Sequence, residues 1–351
     1  MDTAWLHTLD PFLIQFSGSI GIRWYGLAYV TGFICAFLFM KWFSEKKISP
    51  LTVEQASDFL TALILGVLIG GRLGYALFYS PELLTDFRSS IPFWGVLAVW
   101  EGGMASHGGF IGVWVACFYF AWKHKIPFPH LGDLTVVGAM IGIGLGRIAN
   151  FINGELMGKI CAPDFPLAVK FPQDIYRWIG YEPDKLERLK KPAELLGINP
   201  SDFRTWTDNV GQFKSKFYGL TDQIIAKIQS GDEVMMEAVK PILEPRHPSQ
   251  LYASFTEAWI PLVILMFFWR KPLKPGIIGS GYILIYAVGR IFNEQFRLPD
   301  AHIADLSQQP LGVSRGQFIS LWMFLIGLAF MIWSLKRKSE PMGGWAQKTE
   351  K

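Results

Sequence analysis

Residues 25–43 read YGLAYVTGFICAFLFMKWF and residues 259–269 read WIPLVILMFFW. Runs this apolar cannot be one face of a helix in water. A hydrocarbon core about 30 Å thick takes roughly 20 apolar residues per helix. It offers no water to a bare N–H or C=O, so a chain crossing it as separate apolar segments crosses as helices. Seven stretches meet the requirement, at about 22–42, 58–79, 103–121, 131–153, 249–268, 277–297 and 316–335. The composition agrees: 51% of residues are hydrophobic and 18% charged, against about 25% charged in a soluble domain. A secretory signal peptide is not expected, because the first residues carry no basic segment and no clear cleavage site follows. Cys35, Cys117 and Cys161 form no CxxC or paired framework, so neither a disulfide scaffold nor a thiolate metal site is expected.

Lysine and arginine in short loops set the orientation. With the N-terminus outside, the inner segments carry Lys46, Lys47, Lys123, Lys125, Arg270, Lys271, Lys274, Lys336, Arg337, Lys338, Lys348 and Lys351. The short outer segments 1–21, 80–102 and 298–315 carry only Arg88 and Arg315. The expected fold is therefore an all-α polytopic membrane protein with seven transmembrane helices, N-terminus outside and C-terminus inside. Residues 1–153 hold spans one to four. Residues 154–248, mixing acids and bases, form an extracytoplasmic inserted domain with some helix. Residues 249–351 hold spans five to seven and a basic tail. Gly66, Gly70 and Gly74, and again Gly138, Gly142 and Gly146, recur every four residues, a spacing that lets helices approach closely in lipid.

Polar residues inside such spans are costly, so they usually face a bundle interior or a wet cavity. On this topology Tyr25, Arg72, His107, Arg147 with Asn150, and Arg290 with Glu294 all fall toward the outer side. Tyr286, Arg290, Glu294 and Arg297 fall on one stripe of a continuous helix, and Arg147, Asn150 and Asn153 on a second. The plainer alternatives are a polar helix end at Arg147 and an interfacial Arg–Glu pair with Arg297 reaching for water. Arg72, Arg147 and Arg290 against Glu294 leave a positive surplus, and guanidinium forks match phosphate oxygens. At that depth the abundant phosphate belongs to a lipid headgroup. His107 lies between glycine pairs and belongs to no metal-binding pattern such as HExxH, so no metal is expected.

GRIANFINGELMG (146–158) closely resembles the signature of the bacterial prolipoprotein diacylglyceryl transferases, as do RWYGLAY (23–29), GGRLGY (70–75), MASHGGFIG (104–112), RHPSQLY (246–252) and YAVGRIFNEQFRLPD (286–300). The resemblance fades between about 173 and 243 and at both tips. It implies transfer of a diacylglyceryl group from phosphatidylglycerol to the lipobox cysteine of a prolipoprotein, forming a thioether and releasing glycerol 1-phosphate. It further implies a bacterial inner-membrane location with the active site toward the outer leaflet. The partners would be that lipid, the prolipoprotein signal peptide and the bilayer, with no cofactor, metal or nucleic acid. His107 matches the family's proposed base, and Arg147 and Arg290 its essential arginines. Tyr25, Asn150, Glu155 and Glu294 match functional positions that would orient the headgroup and hold the arginines. Arg72, Tyr286 and Arg297 are supporting candidates, and Asn153 and Gly158 fit the motif as shapers of its turn. A phospholipid transporter or scramblase would also place arginines at headgroup depth, but it needs a polar route inward, and AFLFM (36–40) and LVILMFF (262–268) offer none. A scaffold whose polar clusters only register helices is the third reading.

Overall fold

The computed structural model describes residues 3–17, 20–298 and 313–346. The outer segment 298–315 and the end of the basic tail thus lie largely outside the described residues. Each of the seven apolar stretches is helical: α1 (Trp24–Glu45), α2 (Val53–Phe78), α3 (Ser106–His124), α4 (Phe128–Ile152), a helix over residues 249–268, a shorter one at Ile277–Asn293 and one at Arg315–Lys336. Five are long and apolar enough to cross a membrane, namely α1, α2, α4, Ser249–Phe268 and Arg315–Lys336. The protein is a mostly helical polytopic membrane protein. Three two-stranded ribbons join the helices: β1 (Trp5–Leu6) with β4 (Val169–Lys170), β2 (Phe12–Ser17) with β3 (Ile20–Arg23), and β5 (Pro272–Leu273) with β6 (Met342–Gly343).

The chain divides into two compact units. The first comprises residues 1–30, 143–260 and 286–323, and the second residues 31–142, 261–285 and 324–351. In the second, α2 and α3 pack through glycine. A Cβ added at Gly66 would sit 2.6 Å from the Gly112 carbonyl oxygen, and one at Gly74 2.7 Å from Gly108 Cα. The expected four-residue stripe on α2 is thus a backbone-to-backbone seam. On α4 the stripe is only partly used: Gly138 meets Ala36 and Gly142 meets Gly32, whereas Gly146 has open space beside it.

In the first unit, residues 154–248 fold into short helices α5 (Asp174–Tyr181), α6 (Lys190–Leu195), α7 (Pro200–Asp208), α8 (Val210–Gln229) and α9 (Glu233–Val239). They enclose their own apolar core, in which Ile175, Trp178, Leu186, Phe217 and Ile224 are fully buried. The inserted region is thus an ordered helical body. The amphipathic pattern of segments such as YEPDKLERLKKPAELLG explains how it closes without long apolar runs.

The helix over residues 249–268 is not uniform. It runs as α10 (Ser249–Ser254), a π-helical turn at Phe255–Trp259, and α11 (Ile260–Phe268). The Ile260 amide reaches back five residues to the Phe255 carbonyl. Pro261 follows in the chain and has no N–H to give the carbonyl four residues before it, which disrupts the regular ladder here. The helix at Ile277–Asn293 is α12 and that at Arg315–Lys336 is α13.

Candidate active site

The signature GRIANFINGELMG straddles the end of α4. The helix stops at Ile152, and Gly154, at φ +68°, takes a left-handed conformation that glycine adopts freely. The chain then turns back so that Glu155 N–H reaches the Asn150 carbonyl at 3.0 Å. This turn gathers three donors on the Glu155 carboxylate. Tyr25 Oη donates to Oε2 at 3.0 Å, Asn153 Nδ2 to Oε1 at 3.2 Å, and Asn150 Nδ2 to Oε2 at 3.5 Å. Asn150 also donates to Tyr25 Oη. Tyr25, Asn150, Asn153 and Glu155 therefore form one network.

Gly158 lies farther along, where the backbone threads between two strands of chain. Its N–H donates to the His247 carbonyl at 3.1 Å, it bridges to Arg297, and an added Cβ would strike the His247 and Phe296 carbonyl oxygens. Arg246 Nη1 donates to the Gly158 carbonyl at 3.2 Å, while its Nε and Nη2 grip Asp174 Oδ2 at 2.9 and 2.7 Å. Ser249 Oγ donates to the Leu156 carbonyl at 2.9 Å, and Gln250 Nε2 to that of Glu155. RHPSQLY thus acts as a clamp on the signature turn and ties it to the helical insertion.

The arginines meet at a residue that sequence reasoning missed. Glu257, on the π turn, is fully buried. Its Oε2 accepts from Arg147 Nη2 at 2.9 Å, and its Oε1 lies 3.5 Å from Arg290 Nη1. Asn293 Nδ2 donates to Oε1 at 3.4 Å. Tyr286 is a hydrogen-bond partner of Arg147. Arg290 Nη2 also pairs with Glu294 Oε2 at 3.2 Å, and Glu294 Oε1 accepts from Ser314 Oγ at 3.1 Å. Gly316, in the first turn of α13, faces the Glu294 carboxylate, where the helix N-terminus favours negative charge. Glycines bring these backbones together. A Cβ at Gly289 would meet the Thr256 carbonyl oxygen at 2.5 Å, and one at Gly144 would meet the Trp259 ring at 2.7 Å. Ser254 Oγ donates to the Gly144 carbonyl and accepts from Trp259 Nε1, both at 2.9 Å.

Three expectations change. The positive surplus shrinks, because Arg147 and Arg290 share Glu257 and Arg290 also pairs with Glu294. A lone acid inside the run SFTEAWIPLVILMFF was the signal that would have found it. The stripe from Tyr286 to Arg297 breaks, because α12 ends at Asn293 and Arg297 sits in the bridge to Gly158. Arg72, in the second unit, does not offer its charge to a ligand. It is buried, and its guanidinium donates to the carbonyls of Gly95, Val96, Ala98, Gly102 and Gly103. All five N–H groups of an arginine are thereby engaged, and Arg72 holds the segment leading to α3. His107, also in the second unit, lies in the first turn of α3 and is exposed. His7 is buried and lies 2.8 Å from the Phe151 carbonyl at the end of α4. Burial lowers its pKa to about 4.

The family model described as prolipoprotein diacylglyceryl transferase matches residues 11–333. A phosphatidylglycerol–prolipoprotein diacylglyceryl transferase of Bdellovibrio bacteriovorus is 46% identical over 346 residues, covering 97% of both chains. Proteins of the same name from Burkholderia orbicola and Escherichia fergusonii are each 33% identical, over 94% and 97% of this chain and 95% and 99% of their own. With its model matched nearly end to end, the chain belongs to the prolipoprotein diacylglyceryl transferase family.

Proposed function

We propose that this chain transfers the diacylglyceryl group of phosphatidylglycerol to the lipobox cysteine of a prolipoprotein, in a bacterial inner membrane. The relatives' names supply the two substrates. The observation that carries the chemistry is the meeting of Arg147, from α4, and Arg290, from α12, at one buried carboxylate. In the reaction the cysteine sulfur attacks the glycerol carbon that bears the phosphate ester. A C–S bond forms, the C–O bond breaks, and the electron pair leaves on glycerol 1-phosphate. The phosphate thus gains negative charge as the bond breaks, and cations already in place lower the barrier by stabilising that charge. The Arg147 side chain is 21% exposed and that of Arg290 14%. Both can therefore take up a phosphate oxygen while still paired.

The thiol must lose its proton, since a free cysteine is mostly protonated at neutral pH. His107 takes that role on its place in MASHGGFIG, not on a distance. Tyr25, Asn150, Asn153 and Glu155 would orient the glycerol headgroup, since their network offers hydroxyl, amide and carboxylate groups within a few residues of Arg147. Tyr286 and Glu294 hold the arginines, Gly158 and Arg297 shape the backbone beside the signature turn, and Arg72 holds the segment leading to α3. The seven-span, N-out topology and a periplasmic inserted body over residues 154–248 are part of the same reading. Their support is the distribution of lysine and arginine among the loops. A transporter or scramblase is not favoured by any of the relatives' names.

The test is to incubate the purified protein with phosphatidylglycerol and a lipobox peptide and to weigh the peptide by mass spectrometry. A diacylglyceryl thioether is the expected product. An unmodified peptide with correctly folded protein refutes the proposal.

A further inference from the structure

We infer that Glu257 is a positioning residue for the transfer: it holds Arg147 and Arg290 side by side before the lipid arrives. This deepens the proposed function and rests on it. The carboxylate divides its oxygens, Oε2 to Arg147 at 2.9 Å and Oε1 to Arg290 at 3.5 Å. The two arginines come from helices far apart in sequence, and their like charges repel. A single fully buried anion between them offsets that repulsion and fixes their separation. The surrounding backbone is shaped for this. The π turn presents Glu257 at the point where α4 approaches through Gly144 and α12 through Gly289, so the carboxylate sits between the very turns that carry the arginines. Asn293 Nδ2 adds a donor to Oε1, and Glu294 is tethered separately by Ser314.

Charge and shape are both needed. A carboxylate accepts on both oxygens, whereas a glutamine puts an NH₂ donor where one of them was. Glu257→Gln therefore turns a donor toward one guanidinium and releases that arginine. Glu257→Asp keeps two accepting oxygens but withdraws them by one methylene. Since the arginines act on charge that develops as the C–O bond breaks, loss of their spacing falls on turnover more than on lipid binding.

The experiment uses the full-length protein in lipid nanodiscs, with phosphatidylglycerol and a lipobox peptide. Wild type, Glu257→Gln, Glu257→Asp, Arg290→Ala and the Glu257→Gln/Arg290→Ala double variant are compared for kcat, KM and melting temperature. For Glu257→Gln, kcat should fall by about 100-fold with KM for the lipid within about threefold. Glu257→Asp should recover part of the loss. The double variant should be no slower than Arg290→Ala alone, because residues acting as one unit are not additive. An active wild type with Glu257→Gln turning over at the wild-type rate overturns the inference, as does full additivity in the double variant. If Glu257→Gln does not fold, Glu257→Asp decides. A lower kcat at an unchanged melting temperature supports positioning, and a lower melting temperature at unchanged kcat overturns it. An inactive wild type counts against the proposed function itself.

Discussion

A single methyl group at Gly289 should separate the two halves of the arginine pair. In Gly289→Ala the new Cβ would stand 2.5 Å from the Thr256 carbonyl oxygen and 3.0 Å from its carbon. Ordinary contact begins near 3.4 Å, so α12 and the π turn must part by roughly 0.9 Å. The obstacle is backbone, so no side chain can swing aside to absorb the strain. Gly289 precedes Arg290, and an opening along that direction stretches the 3.5 Å Arg290–Glu257 pair beyond 4 Å. Overpacking of this kind costs about 1–3 kcal/mol in stability, and a shift near 1 Å in catalytic geometry costs about 100-fold in rate. The assay is kcat for peptide lipidation beside a thermal melt, with Gly219→Ala as control. Gly219 lies inside α8 with nothing within 4 Å of an added Cβ, so alanine there should leave kcat unchanged and raise stability slightly. If Gly289→Ala matches the wild type in both kcat and melting temperature, the close approach of α12 to the π turn does not set the arginine geometry.

Arg72→Ala should destabilise the second unit by about 3 kcal/mol or more, because five carbonyls lose a charged donor. Faster protease cleavage within residues 95–103 would register it, and lysine should not rescue, since one ammonium cannot span that fork. A raised KM with intact stability would instead restore Arg72 to the headgroup. Asp174→Ala leaves Arg246 buried without its main counter-charge and should cost about 3–5 kcal/mol, read as a drop in melting temperature. His7 resists protonation when folded, its pKa held at about 4 against 6.5 when free. Its contribution is therefore complete above pH 6.5 and is lost as pH falls toward 4. Melts at about pH 7 and about pH 5 should diverge more for the wild type than for His7→Phe, and equal divergence would refute the assignment.

The parts of the fold that follow from hydrophobic runs were legible in the sequence. The seven apolar stretches and the Gly66–Gly70–Gly74 seam depend on local composition, whereas for residues 154–248 the sequence indicated some helix but not its fold. Polar partners were harder to read, because they come from distant chain. Nothing near Arg72 indicated that five carbonyls from residues 95–103 would surround it. The stripe through Arg297 assumed a helix that continues, and α12 stops at Asn293. Glu257 was visible as an acid in an apolar run, yet its pairing with two arginines depends on a π turn and two glycine contacts. The RHPSQLY motif was recognisable as a pattern, but its work as a clamp on Gly158 depends on Asp174, in a region where the resemblance fades.

The most direct measurement counts both products of one turnover in the same sample. Wild-type protein should release one glycerol 1-phosphate for each peptide thioether formed, and Arg290→Ala, folded and membrane-inserted, should release both at about a hundredth of the wild-type rate or less. Thioether without glycerol phosphate, or wild-type yields from Arg290→Ala, would contradict an arginine pair acting on the departing phosphate.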